Sequence, residues 1–436
     1  MVDASTLLKR SFYFRNTQCR LADGNVIFPY VTVNEKLAMQ HRPLHASDTM
    51  LTRVKEWSAV AAYMLLLPYW RRKKIWLVYE KFCALAQDNG FAFFEYCMQN
   101  GDPKKTKDIY YVMDKVSSEY DKVAPYGRNV VNFMSFRHML YALVANIYVG
   151  SDAKSHLYQW RPKASIIRNV INKRKVFFLQ HGVTALKRVD YLFGKQGTSP
   201  MTYFLTTSHA EQDIVVENFG YSLQHAPVLG FSRWDLLKDT SDKAHPIILM
   251  MPTWRQWLED VGDETFLESD YYKAYSELIQ SEEVAELLER ANATLKFFIH
   301  PKFSEQLRHF GNTTDRVELI EMGSQPLNEI IMECSMLITD YSSVCWDVLY
   351  MDKPVIYYHF DQARYVDEVG SYIDLNTELP GKVCFDLEEL KQAMASVIDN
   401  GFELDETDRA VAQQWFDFKD KNNRKRTYEY LLEEGF

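Results

Sequence analysis

Short apolar runs alternate along this chain with longer stretches that carry a helical period. The runs are bounded by turn residues, as in strands that are buried on both faces of a parallel sheet. The predicted strands are residues 75–79, 109–113, 130–133, 147–149, 176–179, 203–206, 247–251, 295–299, 317–320, 336–338 and 355–358. The stretches between them repeat apolar residues every three or four positions, which is typical of amphipathic helices. This alternation predicts an α/β fold with helices on both faces of a parallel sheet.

The helical stretches divide between two halves of the chain. Helices are predicted at residues 48–67, 91–98, 136–145, 210–219, 271–291, 326–334, 387–398, 406–418 and 425–433. Lys238–Pro246 is polar and is the best candidate for a linker. We therefore expect two doubly wound, Rossmann-like domains, residues 47–240 and 241–436, that face one another across a cleft. Residues 1–46 are predicted to form a small β appendage, because Ser11–Val33 alternates around the turn Ala22–Asn25.

One strand–helix–strand unit, residues 336–360, has its polar residues at the end of its first strand. The run Met336–Ile338 leads into Thr339–Ser343, and a helix through Val344 and Leu349 follows. Ligands of open α/β sheets bind at this edge, and a helix start offers N–H groups to a phosphate. Taken alone, Ser342 and Ser343 are better explained as helix caps.

Three further polar clusters follow predicted strands. They are Gln180–Gly182, Pro252–Arg255 and His300–Lys302. Because the carboxyl ends of parallel strands lie on one edge, four such clusters are expected to converge. Arg255 suits forked binding of phosphate oxygens, and His300 suits a charge-assisted bond to a diphosphate. His181, before the flexible Gly182, is placed like a general base.

Each of these residues also has a structural explanation that the sequence leaves open. The alternative for His181 is a strand-end histidine bonded to a carbonyl, and for Arg255 it is a pair with Glu259. The alternatives for His300, Asp340 and Asp347 are a turn, a helix cap and a pair with Lys353, respectively.

Composition narrows the function classes and the compartment. The net charge of −9 and the pI near 5.7 argue against general nucleic-acid binding. The six cysteines show no zinc-ligand spacing and suit a reduced, cytoplasmic protein. Met1–Lys9 lacks the apolar core of a signal peptide, so none is expected.

The predicted helix and basic cluster at residues 48–74 suggest a membrane surface. The uncharged run Trp57–Trp70 is shorter than the about 20 residues that span a bilayer. It carries aromatic residues at both ends and precedes four adjacent cations, Arg71–Lys74. Such a segment can lie in an anionic lipid interface. The alternative is a helix packed on the neighbouring sheet with a solvated basic loop.

The ordered set of motifs resembles the CDP-glycerol glycerophosphotransferase family of teichoic acid and capsule synthesis. The matching residues cover roughly residues 75–375 and are strongest from Asp340 to Asp347. In chain order they are His181, Gly182, Leu186, Lys187, Leu229, Gly230, Arg233, Asp235, Pro252, Thr253, Trp254, Arg255, His300, Pro301, Thr339, Asp340, Tyr341, Ser342, Ser343, Val344, Asp347, Lys353, Pro354 and Asp361.

The resemblance implies a fold, a reaction and a location. Members resemble GT-B enzymes and are bound peripherally at the cytoplasmic face of the cell membrane. They transfer glycerol phosphate from CDP-glycerol to a hydroxyl of a polyol-phosphate or glycan acceptor, which can be lipid-linked, and they release CMP. Residues 47–240 would be the acceptor side and residues 241–436 the CDP-polyol side. The anionic membrane surface would then be a partner, and nucleic acid would not.

The resemblance also implies roles for individual residues. His181 and His300 would be catalytic: His181 as the base for the acceptor hydroxyl, His300 neutralising charge on the transferred phosphoryl group or on CMP. The donor phosphates and nucleotide would be bound by Thr253, Arg255, Asp340, Tyr341, Ser342, Ser343 and Asp347. Supporting positions would be Gly182, Gly230, Arg233, Asp235 and Asp361, with Asp347 or Asp361 bonding a ribose or polyol hydroxyl.

The sequence departs from the family pattern before and after the His-Gly pair. Gln180 stands where many members have Trp, and Val183-Thr184 replaces Thr-Pro. CDP-ribitol is an alternative donor, because ribitol-using relatives share much of the pattern. A GT-B glycosyltransferase that uses a nucleotide sugar, a non-catalytic scaffold and a sugar-nucleotide epimerase are competing classes. No Asp-x-Asp occurs, so no obligatory metal cofactor is expected, and Mg²⁺ carried by the nucleotide stays open.

Overall fold

Two parallel sheets form from the strands that the apolar runs predict. The computed structural model describes residues 19–31, 37–44, 48–70, 72–159, 166–259, 261–303, 305–311, 315–321 and 324–436. The strands are β1 Cys19–Arg20, β2 Asn25–Val31, β3 Leu37–Pro43, β4 Trp76–Tyr79, β5 Ile109–Met113, β6 Val130–Asn132, β7 Ile147–Gly150, β8 Lys175–Phe178, β9 Tyr203–Phe204, β10 Ile247–Met251, β11 Thr294–Phe298, β12 Val317–Ile320, β13 Met336–Thr339, β14 Val355–Tyr358 and β15 Lys382–Cys384.

The helices occupy the amphipathic stretches and the loops between them. They are α1 Met50–Leu65, α2 Leu67–Trp70, α3 Asn89–Asn100, α4 Pro103–Thr106, α5 Tyr120–Val123, α6 Phe136–Val144, α7 Ile166–Lys173, α8 Asp190–Phe193, α9 His209–Phe219, α10 Asp263–Glu268, α11 Asp270–Gln280, α12 Glu282–Arg290, α13 Leu327–Glu333, α14 Val344–Tyr350, α15 Gln362–Glu368, α16 Leu387–Asp399, α17 Glu406–Gln413 and α18 Asn423–Glu433. Several begin at a serine or aspartate cap, as Ser135 does for α6 and Asp386 for α16.

The first parallel sheet has the order β6-β5-β4-β7-β8-β9. Counted from β4 this is 3-2-1-4-5-6, the order of dinucleotide-binding folds, in which the strand order reverses between the first and fourth strands. Residues of β4, β5 and β7 are buried throughout. Burial on both faces explains why these strands read as continuous apolar runs.

The second parallel sheet repeats this topology with the order β12-β11-β10-β13-β14-β15. Its reversal lies between β10 and β13, whose residues Leu249 and Leu337 are direct neighbours. The expectation of α/β architecture with two doubly wound sheets is confirmed. The sequence missed β15, the edge strand of this sheet.

The predicted amino-terminal hairpin is part of a three-stranded antiparallel sheet. β1 pairs with β2 across the turn at Asp23-Gly24, and β2 pairs with β3. Gly24 has a φ of +82°, which suits this turn. The sequence missed β3, and residues 11–18 and 32–33 of the predicted hairpin lie outside the described residues.

The helix predicted at 48–67 is shorter at both ends in the structure and spans Met50–Leu65. It begins at Met50 with Thr49 as its cap, because the Thr49 hydroxyl accepts from the Thr52 N–H at 3.2 Å. Asp48, where the predicted helix starts, instead pairs with Arg42 at 2.7 Å. Similarly, the helix predicted at 271–291 is interrupted at Ser281, which caps α12 by accepting from the N–H of Val284.

The chain forms two compact units whose limits differ from the predicted domain limits. The first unit contains residues 1–181, 201–205 and 424–436, and the second contains residues 182–200 and 206–423. Residues 182–200 were predicted in the first half, but their hydrogen bonds go to the second unit, for example from the Arg188 N–H to the Gly370 carbonyl. Residues 424–436 return to the first unit, where the Tyr428 ring lies 5.8 Å from Trp76.

Candidate functional site

The second unit gathers its predicted site residues where its strand order reverses. Thr253 follows β10, and Thr339-Asp340 ends β13 next to it. The Asp340 carboxylate accepts the Thr253 N–H at 2.8 Å, so the two strand ends are joined. Reversal points of doubly wound sheets are where such folds bind nucleotides. The predicted convergence of these two clusters is therefore confirmed.

Arg255 lies in a buried cluster with two carboxylates. Its guanidinium donates to Asp340 at 2.8 Å and to both oxygens of Asp361 at 2.7 and 3.0 Å. The arginine is 1% exposed. Burial alone would lower the pKa of Arg255, but Asp340 and Asp361 raise it well above its usual value. The sequence predicted that Arg255 binds a phosphate. Its guanidinium is already bound to the carboxylates of Asp340 and Asp361, which supports a role in positioning these residues instead.

Tyrosines complete this cluster from two sides. Tyr275 donates its hydroxyl to Asp340 at 3.1 Å, and Tyr341 donates to Asp361 at 3.2 Å. Burial, followed by the charges of the carboxylates, raises the pKa of both phenols. They therefore stay protonated and act as donors. The Tyr341 ring stacks on Tyr365 at 3.6 Å, which further fixes the loop after β13.

The remaining predicted carboxylate, Asp347, has a separate structural role. It accepts from Arg233 at 3.0 and 2.9 Å and from the Trp234 indole at 2.7 Å. Its expected pair with Lys353 is wrong, because Lys353 contacts Asp239 at 2.9 Å. Asp347 and Asp361 are engaged by protein donors, so the described contacts do not favour their predicted bonds to ribose or polyol hydroxyls.

Two more of the predicted supporting residues, Gly230 and Asp235, lie against Asn423. Asp235 accepts the N–H of Asn423 at 3.0 Å. Gly230 has a φ of +79°, and a Cβ there would collide with the Asn423 side chain. Gly230 and Asp235 thus position the backbone at Asn423.

Ser342 and Ser343 are partly exposed at the start of α14. The predicted capping is weak, since Ser342 accepts from the Val344 N–H only at 3.4 Å and Ser343 makes no capping bond. Gly182 approaches Ser343 so closely that an added Cβ would lie 2.7 Å from the Ser343 Cβ. This close approach therefore requires glycine at position 182. From the sequence, the glycine was explained by flexibility.

Gly182→Ala should lower stability by about 1–3 kcal/mol, because overpacking forces Ser343 to move. Adding Ser343→Gly should restore most of this loss, since it removes the atoms that collide. A double-mutant cycle by urea unfolding measures the coupling. Gly262→Ala is the matched control, because nothing lies within 4 Å of a Cβ at that position. Additive effects of the two changes at 182 and 343 would contradict the expected contact.

His300 follows β11 beside Trp254, with their rings 6.0 Å apart. Its Nδ1 accepts the N–H of Lys302 at 3.2 Å. In the neutral ring the proton therefore lies on Nε2, which makes that atom a donor. The expectation of a pair between Arg255 and Glu259 is wrong, because the Glu259 carboxylate contacts Lys302.

The first unit places His181 at the end of β8. The residue is exposed, and its Nδ1 lies 3.1 Å from the carbonyl oxygen of Ser151. Because a carbonyl can only accept, the neutral ring keeps its proton on Nδ1 and leaves the Nε2 lone pair available as a base. Gln180 precedes it with a φ of +57° and bonds the Leu205 carbonyl through its amide.

Glu80 is a buried acid at the same edge that the sequence did not single out. It follows β4, and its carboxylate accepts the N–H groups of Gln87, Asp88 and Phe91 at 2.7–3.1 Å. Burial raises the pKa of Glu80 to about 8. An acidic residue directly after a predicted strand would have been the signal.

No group of three His, Cys, Asp or Glu side chains is arranged to hold a metal ion in the part of the chain that the structure describes. A cavity of about 930 Å³ lies at the opposite edge of the second sheet, beside Pro246, Ser335 and Lys353, which precede the strands. Its charged walls are largely paired, as in Arg290–Asp399 at 2.9 Å. This cavity is therefore separate from the residues that the sequence predicts.

Comparisons with known proteins agree with this fold. Two parallel sheets, each with one reversal of its strand order, define a doubly wound α/β fold of the kind that binds nucleotides. The family described as CDP-Glycerol:Poly(glycerophosphate) glycerophosphotransferase matches residues 62–433, and the chain belongs to that family.

Named relatives come from teichoic acid synthesis. The minor teichoic acid biosynthesis protein GgaB of Bacillus subtilis is 26% identical over 97% of this chain and 47% of the relative. The teichoic acid ribitol-phosphate polymerase TarK of Staphylococcus aureus is 24% identical over 67% of this chain and 60% of the relative. The chain thus spans about half the length of the curated relatives it matches. The solved structure of the wall teichoic acid polymerase TagF matches 89% of this chain and 98% of its own, with a TM-score of 0.59 and 14% identity, which shows a shared fold.

Proposed function

We propose that this chain transfers glycerol phosphate from CDP-glycerol to a hydroxyl of a teichoic acid or capsule-type acceptor and releases CMP. The observation that carries the proposal is the junction of Thr253 and Asp340 at the strand reversal of the second sheet, inside the family match. The acceptor oxygen attacks the phosphorus that bears glycerol, the bond to the bridging oxygen of CMP breaks, and the acceptor proton passes to a base. Positioning and charge stabilisation supply most of the catalysis in such transfers.

The described geometry supports roles for two histidines. His181 presents a basic Nε2 for the acceptor proton, since its Nδ1 is oriented by Ser151. His300 presents an Nε2–H donor that can stabilise charge on the phosphoryl group or on departing CMP. The candidate donors to the nucleotide phosphates are the hydroxyls of Thr253 and of the partly exposed Ser342 and Ser343. Arg255, with its two carboxylates, holds Thr253 and Tyr341 in place.

CDP-ribitol is the second candidate donor. TarK, which is named a ribitol-phosphate polymerase, matches two thirds of this chain. Nothing in the described contacts selects a three-carbon over a five-carbon polyol. A nucleotide-sugar glycosyltransferase is a third candidate, which would release a nucleoside diphosphate in place of CMP.

Identification of the released nucleotide tests the proposal. The purified protein is incubated separately with CDP-glycerol, CDP-ribitol and UDP-hexoses, together with a membrane acceptor fraction. We expect CMP from CDP-glycerol, and CMP from CDP-ribitol alone would change the donor. A nucleoside diphosphate from a UDP-hexose would overturn the proposal in favour of glycosyl transfer. Parallel reactions with EDTA test the prediction that no metal is obligatory, which persistence of turnover would support.

We also infer that α1 rests on an anionic membrane surface, as a peripheral contact at the cytoplasmic face. One face of α1 packs on α6 and buries Ala59 and Val60, while the other exposes a stripe of large apolar residues. These are Met50, Val54, Trp57, Met64 and Leu65, each 59–80% exposed. Arg72 and Lys74 follow α2 and are also exposed, whereas Arg71 lies outside the described residues. No helix within the described ranges has both the length and the apolar character needed to cross a bilayer.

A double variant, Trp57→Ser with Leu65→Ser, should abolish most binding to anionic liposomes, because both side chains lie on the exposed stripe. Charge reversal at Arg72 and Lys74 should weaken binding, and this effect should fade in neutral liposomes. Flotation measures the bound fraction. Val116→Ser is the matched control, since Val116 is an exposed apolar residue of the same unit outside α1. If the parent protein and all variants were recovered equally in the soluble fraction, the membrane contact would be contradicted.

A further inference from the structure

Two lysines from separate segments approach one indole ring in the second unit. The Nζ of Lys302 lies 3.8 Å from the centre of the Trp254 ring, and the Nζ of Lys187 lies 5.5 Å from it. Both distances are within the range of about 6 Å in which a cation is attracted to an aromatic face. We call Lys187, Trp254 and Lys302 the lysine–indole cluster.

The backbone around Lys187 is firmly attached to the second unit. The carbonyl of Leu186 accepts the Tyr365 hydroxyl at 3.1 Å, and the N–H of Arg188 donates to the Gly370 carbonyl at 3.1 Å. These two bonds flank Lys187 directly. Its side chain is therefore presented from a fixed backbone position, although the residue precedes β10 by about sixty positions in the sequence.

The charges of the lysine–indole cluster are not balanced by its described neighbours. Burial lowers the pKa of Lys187, and the positive charge of Lys302 lowers it further. The Glu259 carboxylate contacts Lys302. Within the described ranges, no Asp or Glu forms an ion pair with Lys187. Two neighbouring ammonium groups with one carboxylate leave an excess of positive charge that an anionic ligand would relieve.

The cluster lies beside the strand reversal of the second sheet. Trp254 follows Thr253 directly, and the Thr253 N–H is bonded to Asp340. Lys302 follows His300, whose ring lies 6.0 Å from Trp254. Trp254 in the loop after β10 and Lys302 in the loop after β11 therefore place both lysines at the edge where a nucleotide is expected.

We propose that Lys187 and Lys302 bind the diphosphate of the nucleotide donor over Trp254. A diphosphate diester carries its two negative charges on adjacent phosphates, which matches two adjacent ammonium groups. A poly(polyol phosphate) acceptor separates its charges by a whole polyol, so it matches the pair less well. The identity of the nucleotide as CDP-glycerol rests on the proposed function, whereas the requirement for a diphosphate comes from the cluster itself.

Nucleotide affinity, measured by calorimetry without turnover, tests this assignment. Lys187→Ala and Lys302→Ala should each weaken CDP-glycerol binding about tenfold or more, as expected for loss of a charge-assisted contact. CMP, which has one phosphate, should lose less, and Lys187→Arg should retain most of the affinity. Lys195→Ala is the matched control, because Lys195 lies in the same segment with its Nζ 5.7 Å from the Tyr221 ring. Thermal unfolding of each variant verifies that it is folded.

The outcomes separate this inference from the proposed function. Unchanged CDP-glycerol affinity in the folded Lys187 and Lys302 variants, or an equal loss in Lys195→Ala, would overturn the inference. If the lysine variants raised only the KM for the acceptor, the inference would also be overturned, and the proposed function would stand. If a UDP-hexose bound in place of CDP-glycerol with the same dependence on both lysines, the inference would stand and the proposed donor would fall.

Discussion

Replacing Arg255 by methionine is expected to lower the free energy of unfolding by about 3–5 kcal/mol, as when one partner of a buried ion pair is removed. The substitution leaves the buried carboxylates of Asp340 and Asp361 without the cation that both contact. Methionine is an unbranched apolar residue of similar volume, so the loss reports on charge and hydrogen bonding more than on a cavity. Urea unfolding with a constant m-value measures it.

Arg290→Met is the matched control for this experiment. Arg290 pairs with Asp399 in the same unit at 2.9 Å, but both side chains are more than half exposed. Exposed pairs contribute only about 0–1 kcal/mol, so the control should stay close to the parent protein. A loss at position 255 no larger than at position 290 would contradict the buried cluster. It would return Arg255 to the role of phosphate clamp that the sequence suggested.

Replacing His181 by alanine is expected to reduce kcat about 10²- to 10⁴-fold, as for removal of a general base. Affinity for CDP-glycerol should be unchanged, because the donor contacts proposed above come from other residues. The pair of measurements is therefore the kcat for CMP release at saturating substrate and the nucleotide Kd by calorimetry. A fall in kcat with a constant Kd is the signature of a group that acts on the acceptor proton.

His225→Ala provides the control for the histidine substitution. His225 is partly exposed and contacts Ser222 at 2.8 Å in the turn after α9, and it is not among the predicted site residues. It should retain the parent kcat. If His181→Ala also kept most of the turnover, the assignment of His181 as base would be wrong, and a different group would have to accept the proton.

The architecture could be predicted from the sequence because its strands are buried on both faces. Runs such as Ile109–Met113 and Met336–Thr339 contain only residues that are buried in the structure, so no polar position interrupts them. The same reasoning located Thr253 and Asp340 at one edge, since polar residues that follow parallel strands must share it. The missed strands β3 and β15 carry polar residues such as Gln40 and Lys382, which weaken the apolar pattern.

The direction of individual side chains could not be predicted in this way. Arg255 has partners 85 and 106 residues further along the chain, and nothing local distinguishes a buried arginine from one that faces a ligand. For the same reason Asp347 was assigned to a hydroxyl or to Lys353, whereas it is held by Arg233 and Trp234. Lys187 stood in the matching motif without a role, because its position beside Trp254 depends on bonds to the segment around Gly370.

The course of the chain also limits how the protein can be divided for expression. A fragment that stops within Lys238–Pro246 would lack Tyr428, whose hydroxyl accepts the Asp102 N–H at 3.0 Å and whose ring contacts Trp76. The same fragment would carry residues 182–200 without Tyr365, Gly370 and Tyr372, to which they are hydrogen-bonded. Truncation within Lys238–Pro246, the linker that the sequence predicted, should therefore yield two insoluble pieces, because these residues lie inside the second unit. Co-expression of both pieces from one plasmid should recover a soluble complex.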